Sequence, residues 1–546
     1  MRKILVTAAL PYANGDIHLG HLVEYLQTDY WVRFQHMRGH ECIYICADDT
    51  HGTPVMISAR QRGITPEQLI AEKHVDHLAD FKGFEVGFDN YYSTDSQENR
   101  LLAEEVFRNM QAGGHIESRP VKQFFCPHDN MFLPDRFVRG TCPRCGASDQ
   151  YGDSCDKCSA TYASSELQNP HCTVCGATPI AKESEHLFFK LNHFRDFLRP
   201  WVKEHTAPEV ARKLEEWLKE DLRDWDISRD APYFGFEIPG YPGKFFYVWL
   251  DAPLGYISST IDWCRRQSRD ADEFWKRDGN ELYHFIGKDV VYFHTLFWPA
   301  MLKTAGYKTP DQVFVHGFLT VKGEKMSKSK GTFITARTYL DHLDPLYLRY
   351  YYACKMSATL DDLDLNFNDF INRVNAELIG KITNLASRSV QMLNKMDNRL
   401  GRLSASGEKM LAEFRKKAPL LADHYQNRDF AKVMLEVRGM ADQANRYLDE
   451  QEPWKTREAE PEKTRVVLTD IVNLFRCLVI FLKPVLPSYA VKVETLLKEP
   501  PYQWDSLDQT ISERPIGLFS HLLKRIEAEK IEKILGASRE QTGKET

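Results

Sequence analysis

The chain has 546 residues, room for roughly three to four domains at about 150 residues each, and its 43% hydrophobic and 27% charged content excludes disorder as the main state. Lys and Arg total 71 against 77 Asp and Glu, a formal charge of −6. That balance excludes a chain that is basic throughout, as a DNA-wrapping protein is, while leaving room for one local basic surface.

Ile4 to Ala8 form a short apolar run that predicts a strand, and a Pro/Asn/Gly loop, Pro11 to Gly15, follows it. The basic start Met1-Arg2-Lys3 and the run Ile4 to Leu10 are too short and too soon broken for a secretory signal. From Leu19, apolar residues recur at Leu22, Val23, Leu26, Tyr30 and Phe34, which is helical spacing. Gly39 and His40 break the pattern, and Cys42 to Ala47 read as a second strand ending at Asp48-Asp49. Strand, helix, strand at this spacing is a βαβ unit, so the fold class expected is α/β with a parallel, Rossmann-like sheet. Ligands of such sheets sit beyond the carboxyl ends of the strands, here the loop Leu10 to His21 and the pair Asp48-Asp49.

From about Gln123 to Ser184 the chain turns to Gly-, Pro-, Cys- and Asp-rich turns, and seven of its twelve cysteines fall between Cys126 and Cys175. This predicts an insertion held by metal in a reducing compartment, so the cytoplasm is expected. The α/β pattern resumes near Leu187, with strands at Tyr283 to Ile286 and Val313 to Val315. Beyond Phe367 two apolar stripes, through Ile371, Val374, Leu378, Ile382 and Leu385 and through Val467, Ile471, Leu474, Phe475 and Leu478, predict an α-helical bundle. No apolar run approaches the roughly 18 to 20 residues of a membrane-spanning helix. The domains expected are a catalytic first half (1–115), a zinc-binding insertion (116–186), a catalytic second half (187–320), a loop and linker (321–370), a helical domain (371–537) and a loose polar tail (538–546).

Two elements carry phosphate chemistry. His18-Leu19-Gly20-His21 opens a helix directly after a strand, so two imidazoles share one face at the positive end of a helix, and Gly20 lets a flat ring approach the backbone. Gly323-Glu324-Lys325-Met326-Ser327-Lys328-Ser329-Lys330-Gly331 is a lysine-rich loop with a glycine hinge at each end, placed to fold over a triphosphate. Taken singly, each has a plainer reading: packing histidines on a helix, and a solvated charge run. No G-x-x-x-x-G-K-[ST] occurs, so a P-loop is excluded.

Together, and in this order, the two elements resemble the H-I-G-H and K-M-S-K-S signatures of class I aminoacyl-tRNA synthetases, with Leu19 at the variable position. The resemblance implies that an amino-acid carboxylate attacks the α-phosphate of ATP, that pyrophosphate leaves, and that the adenylate acylates a tRNA. His18 and His21 would hold the α-phosphate region, Lys325 and Lys328 would draw out the pyrophosphate, and Mg²⁺ would accompany the ATP. A-L-P-Y-A-N-G before the histidines, A-D-D-x-H-G-T at Ala47 to Thr53, W-D-I-S-R-D-A-P-Y-F-G at Trp225 to Gly235 and Y-V-W-L-D-A-P at Tyr247 to Pro253 are similar to the methionyl-tRNA synthetase family. That similarity implies a methionine pocket of Leu10, Tyr12, Asp49, Trp249, Ala252, Pro253, Tyr256 and His294. In it Asp49 takes the substrate ammonium and Arg229 pairs with Asp49. It also implies ATP contacts at Gly20, Gly287, Asp289 and Lys328. An aromatic wall with Tyr12, Trp249, Tyr256 and Phe293 suits a thioether, although such stripes are more often core. The short insertion leaves no room for the editing domain that the relatives for Ile, Val and Leu carry.

Cys142-x2-Cys145 and Cys155-x2-Cys158 are two knuckles nine residues apart, which predicts one closed, structural Zn²⁺ site. Cys172-x2-Cys175 with Cys126-Pro127-His128-Asp129 predicts a second site, with Asp129 where some relatives have cysteine and His128 as an alternative donor. In the helical domain the resemblance implies that Asn384, Arg388, Pro453 and Trp454 read the anticodon of tRNA(Met). The runners-up are a non-catalytic tRNA-binding paralogue, which would be expected to lose a signature histidine or lysine, and a compact nucleotidyltransferase, which leaves the helical half unexplained. No oligonucleotide-binding tail is evident, so a monomer is expected, and a dimer sedimenting at micromolar concentration would contradict that.

Overall fold

The computed structural model describes residues 1–544 except 135–136, 153–154, 156, 159, 161, 163–165 and 327–331, with only the backbone of Lys325 and of 541–544. Five parallel strands form the central sheet: β1 (Lys3–Ala8), β2 (Glu41–Asp48), β3 (Asn90–Ser93), β4 (Glu281–Gly287) and β5 (Gln312–His316). Their spatial order is β5-β4-β1-β2-β3, with Ile4 beside both Glu281 and Cys42, so strand order reverses between β1 and β4. That reversal opens a crevice at the carboxyl ends of β1 and β4, the place where open α/β sheets take their ligands. The short strand β3, with the run Asn-Tyr-Tyr-Ser, is the sheet element that periodicity did not single out.

Side chains alternate along β1 as the pleat requires. Ile4, Val6 and Ala8 face helix α1 (His21–Met37), while Leu5 faces a second core with Leu102, Leu254 and Leu296. Helix α1 is buried nearly all round, from Leu22 to Met37, because it is sandwiched between the sheet and the helical half. Trp31 Nε1 donates to Gln426 O at 3.1 Å, and Phe34 stacks on Tyr425 at 5.0 Å. The core of α1 therefore runs without a break into the helical half. Helix α2 (Pro66–Gly83) starts with a capping box between Thr65 and Gln68 and packs beside the loop that follows β1. At the domain junction the buried Arg349 guanidinium pairs with Asp29 at 2.6 Å and donates to Val485 O and Phe84 O. Burial pushes the Asp29 carboxyl up, yet Arg33 and Arg349 hold it below its ordinary value.

The insertion is a ribbon of Ile116–Cys126 antiparallel to Ile180–Phe189, carrying the cysteine turns at its far end. A small sheet of Leu319–Val321, Glu324–Lys325 and Leu363–Leu365 turns its hairpin at Lys322-Gly323, and its strand Glu324–Lys325 opens the lysine-rich segment. The helical half begins at Phe367–Asn372, as expected, and Arg373–Thr383 winds as a π-helix. The segment from Ser538, expected to be loose, differs: it continues a helix, Ala528–Lys544, in which Ile534 and Ser538 are fully buried and Ser538 Oγ donates to Phe333 O at 2.6 Å. Apolar residues at Ile531, Ile534 and Leu535 anchor that helix, and the polar composition beyond them concealed it. Among the described residues, no helix is long and apolar enough to cross a membrane.

Candidate functional site

The loop after β1 is stitched to β2: Tyr12 bridges Asp49, Ala13 N donates to Asp49 O, and Asp49 N donates to Pro11 O. It delivers His18 and His21 to the amino end of α1, their rings stacked at 3.6 Å and tilted 18°. His18 Nδ1 accepts from Gly20 N at 3.1 Å, and His21 Nδ1 accepts from His18 N at 3.3 Å. With both Nδ1 atoms accepting, each neutral ring carries its proton on Nε2, as a donor. Burial lowers the His18 pKa to about 4 and the His21 pKa well below its ordinary value, with His18 and His77 adding to the latter. The pair is thus two parallel uncharged N–H donors at a helix amino end, an arrangement suited to phosphate oxygens.

The second signature meets the first. Leu19 N donates to Ile334 O, Ala336 N to Ile17 O, His18 bridges Thr335, and the Phe333 ring stands edge-on to His18 at 4.8 Å. A Cβ on Gly20 would lie 2.5 Å from Met326 Cε, so the bare glycine lets the methionine of the second signature pack close against the first. The Lys325 backbone ends the hairpin strand, its side chain and Lys328 lying outside the described residues.

Beside this, beyond β1 and β4, lies a small cavity of about 50 Å³. Leu10, Asp49, Trp249, Ala252, Pro253, Tyr256 and His294, all expected there, line it, joined by Ala9, Val290, Phe293, Phe297 and Trp298. Trp249 stacks on Phe293 at 3.9 Å. His294 Nδ1 donates to Val290 O at 3.1 Å, which leaves Nε2 to accept from Tyr256 OH at 2.8 Å, and burial lowers the His294 pKa to about 4. The wall is therefore uncharged except for Asp49. Burial, followed by nearby Asp251, raises the Asp49 pKa well above its ordinary value, and its Oδ1 has no hydrogen-bond partner. A buried carboxylate oxygen left unpaired at the edge of an apolar cavity is a receptor for a cation.

Two expected pocket residues stand elsewhere. Tyr12 is not in the lining; its hydroxyl donates to His51 O at 2.6 Å and fits against Gly52, whose φ of 104° and 2.8 Å approach to that oxygen exclude a side chain. Arg229 pairs with Asp226 at 3.4 Å, not with Asp49, and lies 3.7 Å over Tyr247. Its strand, Ser228–Asp230, is paired with Lys244–Phe246, which sets its side chain among those neighbours. Asp289 folds back over Gly287, where a Cβ would meet its carboxylate at 2.5 Å. Phe297 and Trp298 escaped the sequence reading because Phe293–Phe297 is a π-turn, which shifts the face that an α-helical count assigns.

Both cysteine groups converge. The donor atoms of Cys142, Cys145, Cys155 and Cys158 lie within 4.8 Å of one another, as do those of Cys126, Asp129, Cys172 and Cys175. Cys145 and Cys155 sulfurs are 3.5 Å apart and Cys142 and Cys158 sulfurs 3.9 Å. The edge of a tetrahedron with Zn–S of 2.3 Å is about 3.8 Å, so the donor set fits zinc. In the second group Asp129 Oδ2 lies 3.3 Å from Cys126 Sγ and 3.4 Å from Cys172 Sγ. His128 is largely exposed and lies against the other Asp129 oxygen, so of the two it is Asp129 that gathers with the three sulfurs.

In the helical half Asn384, Arg388 and Trp454 line a cavity of about 470 Å³ together with Arg457, Phe519, His521 and Arg525. The Arg388 guanidinium sits 5.0 Å over the Trp454 ring and pairs with Asp449 at 2.6 Å. Pro453 is buried outside the lining and starts the short helix that presents the half-exposed Trp454. The aromatic and basic residues after Leu518 were missed, since they belong to a return loop far away in sequence.

Residues 4–390 match the family model for tRNA synthetases class I (M), and residues 399–532 match that for the anticodon binding domain of methionyl tRNA ligase. A methionine–tRNA ligase of Bdellovibrio bacteriovorus is 57% identical over 540 residues, covering 98% of this chain and 79% of that protein. Among solved structures, Mycobacterium tuberculosis methionyl-tRNA synthetase in complex with methionyl-adenylate matches with a TM-score of 0.79 at 24% identity, over 96% of this chain and 100% of that one. Its ligand-free form matches with a TM-score of 0.72 at 21% identity, over 96% and 99%.

Proposed function

The chain belongs to the methionyl-tRNA synthetases of class I, and from that premise we propose how its residues divide the work. It is a methionine–tRNA ligase: methionine is activated with ATP to methionyl-adenylate, pyrophosphate leaves, and the methionyl group passes to tRNA with release of AMP. A non-catalytic paralogue is not favoured, since His18, His21, Lys325 and Lys328 are all present.

The observation that carries the assignment is the unpaired Asp49 oxygen at the edge of an aromatic cavity, beside two Nε2–H donors at a helix amino end. Asp49 binds the substrate ammonium, which turns the methionine carboxylate toward His18 and His21. The thioether lies among Trp249, Phe293, Tyr256 and His294, where sulfur–aromatic contacts contribute ~0.3–1.5 kcal/mol each. His294 and Tyr256 satisfy each other, so the wall offers little to a polar analogue of the same length. Leu10, Ala252 and Pro253 fill out the wall, Tyr12 braces the loop, and Arg229 lies one layer behind, against Asp226.

The adenine ring passes over Gly20, and Asp289 and Gly287 serve the ribose. As the carboxylate oxygen bonds to the α-phosphorus and the bond to the bridging oxygen breaks, His18 and His21 donate to the α-phosphate, and Lys325 and Lys328 accompany the departing pyrophosphate. Most of the acceleration is positioning and charge stabilisation. Mg²⁺ arrives with the ATP and neutralises its phosphates. No disulfide joins the twelve cysteines, seven of which gather as metal donors, and thiolate donors of this kind support work in a reducing cytoplasm.

Each cysteine group holds one structural zinc, with no position left open for substrate. Metal analysis of enzyme purified without added zinc is expected to give two zinc ions per chain, falling to one in Asp129→Ala while the four-cysteine site stays filled. One zinc in the unaltered enzyme would empty the second site of its role. The helical cavity reads the anticodon, with Trp454 as a stacking platform and Arg388 and Asn384 as donors to base edges. Trp454→Ala is expected to lower kcat/KM for charging tRNA(Met) by about 30- to 100-fold, the loss of one stacked base, and to leave pyrophosphate exchange unchanged. Equal charging by both enzymes would move the anticodon elsewhere.

A further inference from the structure

Helix α2 is outside both signatures, yet three of its side chains on one face grip the segments that flank them. Lys73, His77 and Asp80 stand at helical spacing i, i+4, i+7. Lys73 Nζ pairs with Asp16 at 2.6 Å, in the loop that leads into His18. Asp80 pairs with Arg337 at 2.8 Å, on the segment that follows the lysine loop. One turn on, a Cβ on Gly83 would lie 2.4 Å from Leu340, so helix and segment are in close contact.

Between them sits His77, fully buried and outside the lining of the methionine cavity. Its Nδ1 lies 2.6 Å from Asp48 Oδ1, at the carboxyl end of β2, and its Nε2 lies 2.8 Å from Gly15 O. A carboxylate and a carbonyl both accept, so both ring nitrogens must donate, and the ring is an imidazolium neutralised by Asp48. Asp48 is itself fixed by His74 at 2.7 Å and by Tyr91 at 2.5 Å. The other charged or titratable groups facing His77 are His21, Lys73 and Asp80. Although burial opposes its charge, Asp48 and Gly15 raise the His77 pKa above its ordinary value. Among the described residues, the side-chain contacts that hold the outer turn of the loop besides His77 are Lys73 on Asp16 and Ser58 on Asn14 O, both near the surface.

We infer that His77 is a positioning residue for adenylate formation: its hydrogen bond to Gly15 O, backed by Asp48, sets the loop that places His18 and His21 against the α-phosphate. This rests on the assignment of the two histidines given above. A histidine kept only for stability would act on all functions of the folded enzyme alike. A positioning histidine affects the chemical step and spares methionine binding, because α2 does not reach the methionine cavity.

The test is pyrophosphate exchange by the full-length enzyme carrying His77→Leu or His77→Gln, with methionine and ATP varied in turn. His77→Leu is expected to lower kcat by about 10- to 100-fold, as small displacements of reacting groups do, with the methionine KM within about twofold. His77→Gln keeps an amide N–H able to reach Gly15 O and is expected to recover most of that loss. If the leucine variant fails to fold, His77→Ala, which likewise lacks the donor to Gly15 O, carries the test by the same loss of kcat at unchanged methionine KM. Unchanged kcat in folded His77→Leu, or a methionine KM rising in step with the loss, overturns the inference. Loss of exchange in His18→Ala and His21→Ala with full activity in the His77 variants would sink this inference alone. Full activity in the His18 and His21 variants would sink the assignment beneath it.

Discussion

Exchanging either His18 or His21 for alanine is expected to lower kcat for methionine-dependent pyrophosphate exchange by about 100-fold, ~3 kcal/mol, the usual effect of deleting one preorganised donor. The methionine KM should stay within about twofold, because neither ring touches the methionine cavity. The two effects should not add. The rings are stacked, and His21 Nδ1 holds the His18 backbone N–H, so removing one disturbs the other. Asparagine at either position can keep a donor and should recover part of the loss. Since both rings are uncharged in the free enzyme, with His18 near a pKa of about 4, exchange should show no titration that tracks an ordinary histidine at pH about 6.5. A methionine KM that rises in step with the falling kcat would place the histidines in amino-acid binding instead.

Asp49→Asn is expected to act on the other substrate. Removing one partner of a buried ion pair costs about 3–5 kcal/mol, so the methionine Kd should rise at least about 100-fold. The same change has an opposite effect on the empty enzyme. Burial raises the folded-state pKa of Asp49 far above the unfolded value near 4, so its ionisation opposes folding as pH rises above about 4. Asparagine carries no such penalty, and the ligand-free variant should melt at a higher temperature than the parent at pH 7. Weakened methionine binding with a raised Tm is the signature of a carboxylate held for function. A lowered Tm with unchanged binding would make Asp49 a structural residue.

How much of this could be read from the sequence depended on distance along the chain. The βαβ start, the signature loop and the cysteine knuckles are local patterns whose residues meet because helix, strand and turn geometry bring them together. Seven pocket residues were reached through the family resemblance, five of them inside its quoted motifs, and they line one cavity. Phe297 and Trp298 were not, since a π-turn changes the helical count that would have placed them. The pairing of Arg229 with Asp226 depends on the register of a short antiparallel ribbon, which composition does not reveal. The same holds for His77, which meets Asp48 across 29 positions and Gly15 across 62. The helix at Ala528–Lys544 docks on a segment some two hundred residues earlier, where Ser538 Oγ donates to Phe333 O, and its polar composition read as a loose end.

Exchange of labelled pyrophosphate into ATP, run with each of the twenty amino acids and without tRNA, tests the account most directly. It reports the donor pair and the aromatic cavity together. Exchange supported by methionine alone is the expected result. Exchange with another amino acid would keep the phosphate chemistry and overturn the reading of the cavity around Asp49, while no exchange by a folded, zinc-loaded enzyme would contradict the account of His18 and His21.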